Sequence, residues 1–301
     1  MISRALQILS DGLKPSSLAL AAVACSLAST LRAAEDRALA DKSGYNLLHP
    51  TPRALMRELS ADRPDKTDSA YTVDAGHFQI EMDFANFTYD RYNAEHSNTR
   101  FTSYEAAPMN VKLGVLNNLD IQLVVTPYRW ERTADKTAGT VERKSGFGDV
   151  IPRVKLNLVG NDGGSFALAL IPLLKLPTSQ ERLGNGSVEG GLKIPYAFEV
   201  PNWDVGLQTE IEFERAETGT SYRPRFVNSL SVGHSVIGRL SGYVEFYSSV
   251  STQRDSDWVG TLDTWVTYQV NDNWRLDAGV YIGVTRAAED WHPFVGMTRC
   301  F

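Results

Sequence analysis

Eleven charged side chains stand on the polar face of alternating stretches and define the chemistry this chain can offer. Lys112, Arg153, Lys155, Lys175 and Lys193 come first along the chain. Glu210, Glu212, Glu214, Glu245, Asp263 and Asp277 follow. If chain order becomes wall order around an interior, the two groups line opposite walls. That creates a transverse field, which orients dipolar solutes and tunes ion preference. Asp149, Glu189 and Arg275 break the segregation, so it is a tendency. In a narrow interior the same charges would pair across the lumen and close it.

Other reactive residue types are scattered. The five histidines, His49, His77, His96, His234 and His292, form no HExxH pair and none stands at ligand spacing from another. Gly186-Ser187 lacks the frame of a nucleophile elbow. The glycine-rich pieces at 160–164 and 184–186 do not lie between a strand and a helix with a following lysine, as a phosphate loop requires. Cys25 and Cys300 are too few for a disulfide framework and form no CxxC pair for zinc. No catalytic set, metal site or cofactor is expected.

The charges are positioned by a period-two pattern, the signature of strands. Phe78, Ile80, Met82 and Phe84 alternate with Gln79, Glu81, Asp83 and Ala85. Leu119, Ile121, Leu123 and Val125 alternate with Asp120, Gln122, Val124 and Thr126. Val205, Leu207, Ile211 and Phe213 alternate with Asp204, Gln208, Glu210, Glu212 and Glu214. About twelve such strands begin near 74, 102, 119, 147, 165, 187, 203, 224, 240, 258, 274 and 291. Short turns at Leu116-Asn117-Asn118, at 160–164, at Pro201-Asn202 and at Asn271-Asp272-Asn273 alternate with longer polar connections. The latter lie near 91–101, 132–146, 177–186, 215–223 and 249–257.

This pattern predicts an all-β, up-and-down antiparallel transmembrane barrel of about twelve strands. The apolar face is almost free of charge, as lipid demands. Tyr128, Trp130, Trp203, Trp258, Trp274 and Trp291 fall near strand ends, where an amphipathic ring suits the membrane interface. Against regularity stand Pro108, Pro127, Pro152, Pro172 and Pro195. Each removes a ladder donor, and a closed barrel has no edge to hide it. They are expected at bulges, rims or bends. His234 falls on the apolar face, close to the turn at 235–239.

A 43% hydrophobic composition excludes a disordered chain. With a net charge of −6 and no long basic run, no nucleic-acid partner is expected. No run of 18 apolar residues exists, so a transmembrane helix is excluded. Residues 1–34 read as an export signal. Arg4 and Lys14 precede a small-apolar run, and Ser26-Leu27-Ala28 offers a cleavage pattern. Residues 35–70 read as a polar arm, either a linker or a plug, with Pro50, Pro52 and Pro64. Thr51-Pro52 predicts a short helix through Leu59. Residues 71–301 form the barrel.

Several motifs resemble a family. Asp62-Arg63-Pro64-Asp65-Lys66-Thr67 precedes Val73-Asp74-Ala75-Gly76-His77-Phe78-Gln79-Ile80-Glu81. Gly146-Phe147-Gly148-Asp149, Leu174-Lys175-Leu176-Pro177 and Leu276-Asp277-Ala278-Gly279 follow. Pro293-Phe294-Val295-Gly296-Met297 comes near the end. Over roughly 60–301 the chain resembles the outer-membrane channel family named after the meta-pathway of phenol degradation. The resemblance implies an outer-membrane barrel that passes small molecules, aromatic ones among them, and carries over no catalytic set. Phe301 resembles the terminal aromatic by which the assembly machinery recognises outer-membrane barrels, although Arg299 and Cys300 depart from that pattern. The expected partners are the lipid bilayer, small solutes and that machinery. The reading is a passive channel with a charge-lined lumen. The alternatives are a structural or adhesive barrel without conductance, a hydrolase with His96 or His292 at its rim, and a soluble ligand-binding barrel.

Overall fold

A computed structural model of the chain describes residues 41–301 except 94–97, 217–218 and 255. The expected export signal at 1–34 and the rim candidate His96 lie outside the described residues. Fifteen strands are formed: β1 (Phe78–Asn93), β2 (Thr99–Ala106), β3 (Met109–Leu116), β4 (Leu119–Val125), β5 (Tyr128–Asp135), β6 (Thr140–Gly146), β7 (Ile151–Val159), β8 (Phe166–Lys175), β9 (Glu189–Val200), β10 (Trp203–Arg215), β11 (Tyr222–Ile237), β12 (Leu240–Ser251), β13 (Val259–Asn271), β14 (Trp274–Gly283) and β15 (Trp291–Cys300).

They make a barrel of twelve wall positions, because three positions are each broken into two pieces. β2 and β3 both pair with β1; β4 and β5 pair with β3 and β2; β7 and β6 pair with β4 and β5. From β7 to β15 every strand pairs antiparallel with the next, and β15 pairs with β1, closing the wall. No helix of the described residues is long and apolar enough to cross a membrane; the crossing is made by strands.

Prolines explain two breaks. Pro108 separates β2 from β3, next to Ala107 in the left-handed region at φ 55°, and Pro127 separates β4 from β5. The other three lie inside β7, β8 and β9, where the ladders are irregular. Pro172 falls in the gap of the β7–β8 ladder between Arg153↔Leu173 and Leu156↔Leu170, with Pro152 beside it, and Pro195 falls in the gap of the β8–β9 ladder between Leu168↔Tyr196 and Ile171↔Lys193. A departure concerns 132–146, expected as a long loop. It folds instead as the β5–β6 hairpin, turning at 136–139 on the Asp135 carboxylate. Its strands are polar on both faces, which hides them from a search for alternation.

The molecule is inside out relative to a soluble protein. Leu123, Leu207, Leu230, Phe246 and Leu262 are exposed on the outside. Lys112, Asp120, Lys155, Glu245 and Asp263 are fully buried on the inside. Aromatic side chains mark both edges of the outer apolar band. On the β13 wall Trp258 and Tyr268, each 49% exposed, stand at opposite ends. Ten residues between them span about 34 Å of strand, or roughly 26 Å of height at a tilt near 40°, which matches the apolar band of outer-membrane barrels. Trp203 and Trp291 take equivalent places at the starts of β10 and β15. His234 lies outside, near the short-turn end, stacked on Trp203 and bonded to the Asn202 carbonyl.

Candidate functional site

The lumen is filled from the short-turn end by residues 41–77. The predicted helix shrinks to one 3-10 turn at Arg53–Leu55, with no side-chain cap from Pro52's neighbourhood. The rest is irregular chain of turns and bends, with isolated bridges from Asn46 to Leu116 and His49. Buried backbone donors must be satisfied, and here the inward side chains of the wall do it. Glu81 accepts from the Asp62 N–H, Gln208 from Asp68, Asn161 from Thr72 and Asp120 from Val73. Glu245 accepts from both Lys66 and Thr67, at 2.9 and 2.8 Å. Ala70 and Tyr71 pack against Ala167, Ala169 and Ala197, where small inward residues of β8 and β9 leave room. Gly114 leaves room for the crossing backbone of Val73 and Asp74, which a Cβ would strike.

The ion pairs follow the two walls. Asp62 lies between Lys112, at 2.6 Å, and Lys155; Glu81 also contacts Lys112. Asp68 receives Arg153 at 3.2 Å and Lys193 at 2.7 Å. On the opposite side Arg63 contacts Asp83 and reaches Asp277 at 2.5 Å. Lys66 meets Asp263 at 3.2 Å and stands over the rings of Tyr247 and Tyr281. Acidic residues of the segment thus face the basic wall, and its basic residues face the acidic wall. Burial pushes the Asp62 carboxyl up, but the two lysine charges outweigh it and hold it well below the ordinary carboxylate range. Asp65 is the exception to the matching. Burial first, then the Glu245 charge, raise its carboxyl well above the ordinary carboxylate range.

All eleven side chains singled out in the sequence lie on the inner face. Lys112, Arg153, Lys155, Lys193, Glu245, Asp263 and Asp277 contact the luminal segment. Glu210 stands 3.7 Å from Lys193. Glu212 and Glu214 hold Arg225, and Lys175 pairs with Glu189 at 2.8 Å and Asp149 at 3.5 Å. The partners are Asp62, Arg63 and Lys66, which the sequence marked only as part of a family motif, together with Asp68 and Arg225, which it did not mark. The alternating charges of Asp62–Asp68 were the available signal. A cavity of about 380 Å³ remains above this segment. Most of its lining is charged, including Asp68, Arg153, Lys193, Glu210, Glu212 and Arg225, and its apolar lining falls in two patches, Pro108, Met109 and Val124 at β2–β4 and Val227 and Tyr247 on β11 and β12.

At the rim His292 offers no relay. Thr88 Oγ1, at 2.8 Å, and Glu289, at 4.0 Å, approach the same ring nitrogen, whereas a triad engages both nitrogens. Phe301 stacks on Phe78 with ring centres 4.5 Å apart and donates its N–H to the Phe78 carbonyl. Arg299 lies over Trp274 and Phe301, so the cation tolerated near the chain end rests on aromatic faces at the interface.

A closed barrel with an apolar belt, two aromatic edges and a charged interior is a transmembrane β-barrel of the outer-membrane type. The family described as "Putative MetA-pathway of phenol degradation" matches residues 61–299, and the chain belongs to it. No curated protein matches the sequence. Among solved structures, the chain is similar to the NanC porin, with 8% identity, TM-score 0.48, and coverage of 73% of this chain and 98% of that one. It is also similar to the CymD monoaromatic hydrocarbon channel, with 9% identity, TM-score 0.42 and coverage of 75% and 88%. An anion-selective porin from Comamonas acidovorans shares 8% identity, with TM-score 0.37 and coverage of 75% and 98%.

Proposed function

We propose that this protein is an outer-membrane channel that passes small solutes passively, and that residues 41–77 restrict its lumen. The observation that carries the reading is the polar, cavity-bearing interior inside a closed wall that is apolar only outside. Family membership favours aromatic solutes among those passed. In this reading Lys112, Arg153, Lys155, Lys175, Lys193, Glu210, Glu212, Glu214, Glu245, Asp263 and Asp277 act in selectivity through the field they set up. Residues 1–34 serve as the export signal, 35–70 as the plug and 71–301 as the barrel. Phe301 serves as the assembly signal, a role supported by its exposed ring beside Phe78 at the barrel seam. No catalytic role enters this reading.

The test is solute uptake into liposomes carrying the refolded protein, comparing small aromatic acids with sugars of similar size. Faster swelling than in protein-free liposomes is expected. A correctly folded barrel that admits neither solute would overturn the channel reading and favour a structural barrel.

A further inference from the structure

The Asp68 carboxylate sits in a place built for carboxylates. Arg153 comes from β7 and Lys193 from β9, and both reach the same two oxygens, Arg153 Nη1 to Oδ1 and Lys193 Nζ to Oδ2. The site is underfilled. A guanidinium presents parallel N–H groups that suit both oxygens of one carboxylate, yet Asp68 engages only Nη1, and the buried Nε of Arg153 has no hydrogen-bond partner. Asp68, Arg153 and Lys193 all line the cavity, whose apolar lining is two patches, Met109 and Val124 on β3 and β4 and Val227 and Tyr247 on β11 and β12. Its volume lies within the range of small-molecule sites. A group whose charged end is held by Arg153 and Lys193 can set an apolar body between the two patches.

We propose that Arg153 and Lys193 form a solute site for organic monocarboxylates with an apolar body, and that Asp68 is its internal occupant. The proposal rests on the channel reading and narrows its solute class. The carboxylate of the solute takes the Arg153 fork and Lys193 in place of Asp68, and its body lies against Met109, Val227 and Tyr247. Glu210 and Glu212 disfavour a second negative charge, so dicarboxylates are poor ligands. Asp68 competes with every such solute, and its neutral amide analogue should compete less.

The experiment compares phenylacetate with phenylacetamide, which has the same shape and no charge. Binding to the folded, detergent-solubilised protein is followed by calorimetric titration, and uptake is followed by liposome swelling. The acid should bind about tenfold or more tightly than the amide, the worth of one charge-assisted bond. Asp68→Asn should tighten acid binding, Arg153→Gln should weaken the preference, and Arg153→Gln combined with Lys193→Gln should abolish it. Arg153→Lys, which keeps the charge and loses the fork, should retain part of it. Far-ultraviolet circular dichroism of each variant shows whether the barrel has formed, and the wild-type comparison stands even if one variant does not fold. Equal binding of acid and amide, or a preference that is undiminished by Arg153→Gln and survives the double variant, overturns the proposal. Uptake of both solutes without preferential binding sinks the site and spares the channel. Preferential binding without uptake sinks the channel and spares the site.

Discussion

Asp62→Asn tests how the lumen is held shut. Asp62 stands between two lysines that are themselves buried, Lys112 at 1% exposure and Lys155 at 0%. The asparagine keeps the shape and the backbone bonds to Glu81 and Ser69, and removes only the charge. Lys112 retains Glu81, but Lys155 is left with a neutral amide oxygen at 62 and the Tyr71 carbonyl in place of its directly bonded carboxylate. Breaking a buried pair by neutralising one member costs about 3–5 kcal/mol. When the segment leaves, both lysines regain water, so the cost falls on the docked state alone. The undocked population should therefore rise by about a hundredfold to several thousandfold. Proteolysis of a transiently opened state follows its population when reclosing is fast. Trypsin cleavage after Arg57 or Lys66 should accelerate by that factor in reconstituted protein, and single-channel current should show longer open periods. An Asp62→Asn barrel digested at the wild-type rate would refute the argument that this ion cluster clamps the segment.

Other outcomes follow from the same geometry. Leu207→Arg puts a charge on the outer face in a row with Leu230, Phe246 and Leu262, and should cost about 2–4 kcal/mol in a urea titration of folding into vesicles; free tolerance would contradict a lipid-facing position. Reversing Lys155 and Lys193 to glutamate should shift reversal potentials toward cations and expose the segment to trypsin, and unchanged potentials would contradict their lumen role. At the short-turn end burial pushes Asp162 up, but hydrogen bonds from Lys42 and Asn117 and the Arg57 charge outweigh it and hold its carboxyl below 3.8. A depressed folded value means that Asp162 stabilises docking above pH 3.8 and loses that contribution as pH falls through the lower value. Pepsin cleavage of residues 41–77 should rise across that window, and less so in Asp162→Asn; an identical acid response in the variant would remove Asp162 from the clamp.

The wall was legible in the sequence because lipid and lumen impose opposite demands on alternate residues. Gln79, Lys112, Glu210 and Asp263 could be assigned inward on that ground alone. Twelve strand starts came out within a few residues, and Pro108 and Pro127 were rightly expected to interrupt their strands. The β5–β6 hairpin was missed because Glu131, Thr133, Glu142 and Lys144 give it no apolar face to mark. The luminal segment was hidden for another reason. An irregular chain whose backbone bonds go to side chains of ten distant residues has no period. Its contacts, such as Arg63 with Asp277 and Thr67 with Glu245, span most of the sequence, and no local rule encodes them.

Charge order resolves what the wall is for. A basic wall and an acidic wall facing one another at short range would attract, and in a narrow barrel their side chains would meet and fill the lumen. Apart from Lys193 and Glu210 on adjacent strands, a strip of chain with the reciprocal order stands between them: Asp62 and Asp68 toward Lys112, Lys155, Arg153 and Lys193, and Arg63 and Lys66 toward Asp277 and Asp263. In the channel reading proposed above, the segregation serves two states. With the strip docked it is a socket that fixes register, since a shift by one residue would set Asp62 against the acidic wall. With the strip displaced it is an exposed field across open water, able to orient a dipolar solute. Each charge that holds the lumen closed is one that would act on whatever passes when it opens, so the strength of closure and the selectivity of the open pore cannot be changed independently at these positions.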